Sequence, residues 1–206
     1  NGTLATMGTK VMPGDTVMVH HTTITPCQKE YLLAFHKPAG IVCTTSKIDK
    51  NNVIDYLNFP ERIYPVGRLD KESTGLLLLT NNGQLMDDVL RGSNYHEKEY
   101  IVHVNKPITD SVLQAMAQGV PILDTITRPC KIRRMGKDCF YITLTQGLNR
   151  QIRRMCEYFD YRVTSLKRIR IMNIELGSLP VGKWRELTPS EIKTLKNLAQ
   201  NKGEAE

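Results

Sequence analysis

Apolar residues fall along this chain in short runs that often follow one another directly. Tyr31-Leu32-Leu33-Ala34-Phe35 reads as a strand ending in the turn His36-Lys37-Pro38-Ala39-Gly40, and Ile41 to Thr45 as a second short strand. Val53 to Leu57 has helical spacing. Leu76-Leu77-Leu78-Leu79 is an unbroken apolar run, the pattern of a buried strand, and Asn81-Asn82-Gly83 stops it. Gln84 to Arg91 follows as a helix with Leu85, Val89 and Leu90 inward. Glu99 to Val104 alternates as a strand, and Asp110 to Gln118 is a helix that Thr109 caps. Cys130 to Arg134 and Phe140 to Thr145 read as paired strands. Arg150 to Phe159 is a helix, Val163 to Ile174 is extended, and Pro189 to Asn201 is a closing helix. Strands outnumber helices and succeed each other, which predicts an α+β fold: a mostly antiparallel, curved sheet flanked by helices.

The first twenty residues differ. Met12-Pro13-Gly14-Asp15 is a turn, Thr16 to Val19 a strand, and His21 to Glu30 a polar linker. So short a stretch cannot build a core of its own. The expected division is therefore a remnant module with its linker over 1–24 and the main domain over 25–206.

Composition narrows the classes. No apolar run approaches the roughly 18 residues of a membrane span, so no membrane partner is expected. The five cysteines are odd in number and none has C-x-x-C spacing, which argues against a disulfide framework or a zinc site and for a reducing cytoplasm. The formal charge of +7 favours polyanionic partners, but only its distribution can tell more.

That distribution is uneven. Residues 147–170 hold Arg150, Arg153, Arg154, Arg162, Lys167, Arg168 and Arg170 against Glu157 and Asp160. Ile152, Met155, Cys156 and Phe159 form one apolar stripe, so the helix is expected to pack on a core and present three guanidiniums outward. Like charges at this spacing repel by a few tenths of a kcal/mol per pair. A bound polyanion explains them better than a solvated face does, and arginine's planar fork suits phosphate.

Pro65-Val66-Gly67-Arg68-Leu69-Asp70 places an acid beside an arginine, just before the leucine run. Such an acid loses solvent, which disfavours its charge, and a paired arginine restores it. It would then serve as nucleophile or base. Read alone, an Arg-x-Asp pair is more often structural.

Longer motifs change that balance. Gly67-Arg68-Leu69-Asp70-Lys71-Glu72-Ser73-Thr74-Gly75 with the following Leu76 to Gly83 resembles the signature of the RsuA-type bacterial rRNA pseudouridine synthases. Lys37-Pro38-Ala39-Gly40, Lys98-Glu99-Tyr100, Gly147 to Met155 and Gly182 to Leu187 resemble that family's other motifs. The resemblance runs from about Tyr31 to Thr188. Gln151 to Cys156 and Arg170 to Asn173 look closest to the RluF branch, which acts on large-subunit ribosomal RNA. Two positions depart from the pattern: His36 replaces an Asn, and Asp160 stands where a Gly usually ends the arginine helix.

The resemblance implies a pseudouridine synthase catalytic domain preceded by the end of an S4-like RNA-binding module. It implies isomerisation of a uridine in 23S rRNA, without cofactor or metal, by a monomer. It makes Asp70 the essential carboxylate, Tyr100 the support for the uracil and Arg153 the partner of Asp70. Whether Asp70 attacks the sugar, attacks the base or abstracts a proton stays open. Arg68, Lys98, Asn149, Arg150, Gln151, Arg154, Lys167 and Arg168 are the candidate RNA contacts. The alternatives are small-subunit rRNA or a tRNA stem-loop as substrate, or a non-catalytic RNA-binding module.

Overall fold

The structure, a computed structural model, describes residues 1–25, 29–46, 48–90 and 95–200. The chain forms two compact units, Asn1–Glu30 and Tyr31–Glu206. In the first, β1 (Val17–Val19) pairs with β2 (Thr22–Ile24) as an antiparallel hairpin. β2 falls within the stretch expected to be linker. None of the described residues of this unit is buried, as expected of a piece with too little apolar material for a core.

The second unit is built on a nine-stranded sheet. Its strands are β3 (Leu32–Lys37), β4 (Tyr64–Val66), β5 (Thr74–Thr80), β6 (Lys98–Val104), β9 (Lys131–Arg134), β10 (Cys139–Leu144), β11 (Val163–Ile171), β12 (Ile174–Glu175) and β13 (Trp184–Glu186). A separate hairpin joins β7 (Pro121–Ile122) to β8 (Thr125–Ile126). The main order is β13-β3-β5-β11-β6-β10-β9, with β4 beside β5 and β12 beside β11. The central pair β5–β11 is parallel; β3–β5, β11–β6 and β6–β10 are antiparallel. Gly75 makes that central pair possible. Its φ is +105°, and a Cβ there would lie 2.1 Å from the Arg168 carbonyl oxygen.

Among the described residues, five helices pack on this frame: α1 (Val53–Leu57), α2 (Gly83–Leu90), α3 (Asp110–Gln118), α4 (Gln151–Tyr158) and α5 (Pro189–Gln200). Thr109 caps α3 as expected, its hydroxyl accepting from the Val112 amide at 3.3 Å. Three apolar clusters result. β3 and β5 send Ala34, Leu76 and Leu78 into one, and Leu33, Phe35, Leu77 and Leu79 into another. The third joins Val102, Val104, Phe140 and Ile142 to Met116 of α3 and Ile152, Met155 and Cys156 of α4.

Several expectations need correction. Ile41 to Thr45 is not a strand; Val42 makes a single bridge to Asn52. Leu90 is 42% exposed rather than inward; Leu85 and Val89 are the residues of α2 that face the core. Arg91 and Asn201, the expected ends of two helices, lie outside the described residues. At the end of α4, Asp160 adopts φ +60°, the left-handed turn in which the family pattern has glycine.

Candidate active site

The leucines of β5 fix the first wall of a cleft of about 730 Å³. Upstream, Gly67 turns the chain with φ +80°, and buried Leu69 anchors the segment, its amide 3.4 Å from the Cys43 sulfur. Asp70 follows, and its carbonyl accepts from the Ser73 amide at 3.0 Å to close a tight turn. From below, Lys37 braces this turn. Its ammonium is fully buried and donates to the carbonyls of Pro38, Lys71 and Ser73 at 2.8, 3.2 and 2.8 Å. Burial holds its pKa below the ordinary lysine range, against the opposing pull of Cys43, Glu72 and Asp70. The Lys-Pro motif showed only as a turn in the sequence; the brace arises because β3 and β5 are neighbours.

The second wall comes from β6, β11 and the start of α4. Arg153 and Arg150 both face Asp70 Oδ2: Arg153 Nε at 3.5 Å and Arg150 Nη1 at 3.9 Å. Their surroundings differ. The Arg153 side chain is 11% exposed and also reaches the Ser73 hydroxyl and the Val163 carbonyl, each at 3.4 Å. Arg150 is 45% exposed and caps α4 with φ +49°, without a side-chain capping bond. The expectation of three outward guanidiniums therefore fails at Arg153, which turns in beneath Asp70. The Asp70 carboxylate is thus paired with two guanidiniums, one enclosed and one near solvent.

Tyr100 lines the cleft from β6, packed against two of the apolar clusters. Arg168 lies opposite it on β11, its guanidinium carbon 6.0 Å from the ring centroid. Arg168 is buried, and it donates to the Leu76 carbonyl at 2.7 Å and the Arg68 carbonyl at 3.5 Å. It therefore ties the Asp70 segment and β5 to β11, the strand paired with the one that carries Tyr100.

The eight candidate RNA contacts separate by position. Arg68, Lys98, Asn149, Arg150, Gln151 and Arg168 line the cleft; Arg154 and Lys167 do not. Gln151 is a buried brace, its amide oxygen accepting from Leu148 N at 3.1 Å and its amide nitrogen donating to Gln146 at 3.3 Å. Arg154 is tied to Asn149, donating to its carbonyl at 3.0 Å and its side-chain oxygen at 3.1 Å. Lys167 alternates with Arg168 and so faces the other side of the sheet. Arg170, part of the second basic cluster, is neutralised by Glu97 and Glu99 at 2.9 Å each. Lys98 shares its strand face with Tyr100. Burial first, then Arg168, lowers its pKa to about 8.

Such a site can hold a flat base against an aromatic ring, beside a carboxylate paired with two arginines. Comparison with known proteins agrees. Residues 31–158 match the family model described as RNA pseudouridylate synthase. A solved structure titled "Crystal structure of pseudouridylate synthase" superposes with a TM-score of 0.76 at 28% identity, covering 91% of this chain and 83% of the other. The chain belongs to the RNA pseudouridine synthase family. Within it, the chain is similar to the dual-specificity RNA pseudouridine synthase RluF of Escherichia coli K12, 50% identical over 203 residues, 98% of this chain and 70% of the relative. The ribosomal large subunit pseudouridine synthase B of Bacillus subtilis is 33% identical over 98% of this chain and 86% of its own length. This places the protein among the RsuA-type, RluF-like synthases.

Proposed function

We propose that this enzyme isomerises a specific uridine of 23S ribosomal RNA to pseudouridine, with Asp70 as the essential carboxylate. The observation that carries the reading is the pairing of Arg153 and Arg150 with the Asp70 carboxylate in a cleft lined by Tyr100. Detaching uracil, turning it and rejoining it through carbon changes no oxidation state, so the chemistry calls for no redox cofactor. Tyr100 supports the base while it turns. Arg153 supplies the fixed counter-charge to Asp70. The target nucleotide must leave its stack, at a cost of a few kcal/mol. Arg68 and Arg150, at the cleft, and Arg154, beyond it, offset that cost through backbone contacts.

The large-subunit target is supported by the name of the Bacillus subtilis relative, a ribosomal large subunit pseudouridine synthase. "Dual-specificity" in the name of the 50% identical relative favours a second RNA substrate, and a tRNA stem-loop is the one to test. The hairpin of Asn1–Glu30 fits the end of an S4-like RNA-binding module. We further propose that the enzyme acts as a monomer in the cytoplasm. Two experiments test the reading. Asp70→Asn is expected to abolish isomerisation and keep RNA binding; substantial pseudouridine formation by that variant overturns the assignment. Mapping pseudouridines in rRNA and tRNA from cells lacking the protein identifies the substrate, and unchanged 23S rRNA overturns the target.

A further inference from the structure

We propose that Lys98 is a catalytic residue of this site, the base that takes the hydrogen from uracil C5, and not a contact to RNA phosphate. The inference rests on the isomerase reading above. Lys98 and Tyr100 are two residues apart on β6 and therefore on one face, and both line the cleft that contains Asp70. A base resting on Tyr100 thus lies on the strand face that also carries Lys98, inside the same cleft.

The amine's surroundings suit a proton acceptor better than a phosphate anchor. No carboxylate pairs with it among the described residues. Among the described residues its one hydrogen bond, to the His96 carbonyl, is long at 3.4 Å. The charged and titratable groups around the cleft are Arg168 from β11, Tyr100 from β6, His96 from the segment before it, Cys43 from the loop after β3, Asp70, Lys71 and Arg68 from the turn, and Arg150 at the N-cap of α4. Burial first, and Arg168 second, disfavour the ammonium and lower its pKa to about 8, toward the range of a general base. Arg170 shows the contrast: on the neighbouring strand it is held by two glutamates and remains a cation.

The reaction needs such a group. Once C5 has bonded to C1′ of the sugar, C5 carries both that bond and its original hydrogen, and the ring holds a C6=N1 double bond. The C5–H bond breaks and its proton passes to the lone pair of Lys98 Nζ. The freed electron pair forms C5=C6, and the C6=N1 π pair withdraws to N1, which takes a proton from water. Lys98 then returns its proton to water. One proton is lost at C5 and one gained at N1, so the sum is an isomerisation.

The test uses RNA carrying 5-deuterated or 5-protiated uridine and the whole protein. Lys98→Gln is expected to lower kcat by about a hundredfold or more, leave RNA affinity within about threefold, and expose a primary isotope effect at C5. Lys98→Arg keeps the positive charge but cannot accept the proton, and is expected to behave like Lys98→Gln. In the wild type, kcat rises with pH through about 8, and both variants lose that rise. Tyr100→Phe removes the phenol oxygen from the same strand face and is the control. If the isotope effect appears in Tyr100→Phe and not in the Lys98 variants, the assignment is overturned. It is also overturned if Lys98→Arg keeps full kcat, or if Lys98→Gln changes affinity alone. These outcomes leave the isomerase reading intact; that reading fails instead if the wild type releases no hydrogen from C5.

Discussion

The two walls of the cleft are built differently. The wall that carries Asp70 rests on β3 and β5, whose side chains are buried on both faces of the sheet; Leu76 and Leu78 enter one apolar cluster, Leu77 and Leu79 another. The wall that carries Tyr100 and Lys98 rests on β6 and β10, which bury one face against α3 and α4 and leave the other half-exposed. The difference suits the tasks. A carboxylate that must meet one atom gains from a rigid mount; the half-exposed face of β6 lies opposite Tyr100 and Lys98, which share theirs with Val102 and Val104, and the charge near solvent that a polyanion needs comes from Arg150 at the start of α4.

Gly75→Ala should break the contrast most severely. Its Cβ would meet the Arg168 backbone at 2.1 Å and would need φ +105°, so β5 and β11 must separate. A loss above about 4 kcal/mol is expected, or no folded protein at all. Urea unfolding checks this, and a folded variant with near-native stability would show that the two walls do not depend on this contact.

The walls themselves can be weighed next. Leu77→Ala removes a fully buried side chain and should cost about 2–5 kcal/mol. Ile101→Ala, on the half-exposed face of β6, should cost about 1 kcal/mol or less. Equal losses in parallel denaturation curves would mean that the second wall is as deeply cored as the first.

The arginines give a smaller effect with a cleaner signature. Arg153 is enclosed and touches Ser73 as well as Asp70, so Arg153→Lys should lower kcat by about a hundredfold with RNA affinity little changed. Arg150→Ala should act mainly on binding, reducing the salt slope of RNA affinity by about one phosphate contact. Swapped outcomes would exchange their roles.

The sequence made these walls legible to different degrees. The leucine run announced β5 because a strand buried on both faces has no polar alternation to hide it. The α4 stripe was equally clear, since Ile152, Met155 and Cys156 repeat with the helix. What periodicity could not show was the depth of a charged side chain. Arg153 sits one position from Ile152, and its enclosure depends on Ser73, eighty residues earlier. Likewise Lys37 belonged to a turn motif, and only the pairing of β3 with β5 brings its ammonium to the Lys71 and Ser73 carbonyls. Local pattern fixes faces and ends of elements; it does not carry the long-range register that buries a cation.

The smallest expected effect concerns pH and the first wall. His36, where the family pattern has asparagine, is buried in β3 and its Nδ1 lies 2.7 Å from the Leu179 carbonyl. Burial holds its pKa below the ordinary histidine range, helped by Lys167, although the Leu179 contact opposes the shift. His96, at the cleft, is lowered in the same direction by burial. Both are therefore neutral in the fold and protonate more readily in the unfolded chain. Their contribution is fully present above the ordinary value of about 6.5 and falls as pH drops through it, until the folded form also protonates. Each histidine can add at most about 1.4 kcal/mol per pH unit to that decline. The paired carboxylates Glu97 and Glu191 are lowered instead, so their contribution is lost only below about pH 4.5, in a separate window. His36→Asn should flatten the stability curve between about pH 6.5 and 5 while leaving the acid limb unchanged. An unaltered slope in that window, measured by urea midpoints across pH, would assign the decline to His96 and leave the interior of the first wall indifferent to protons.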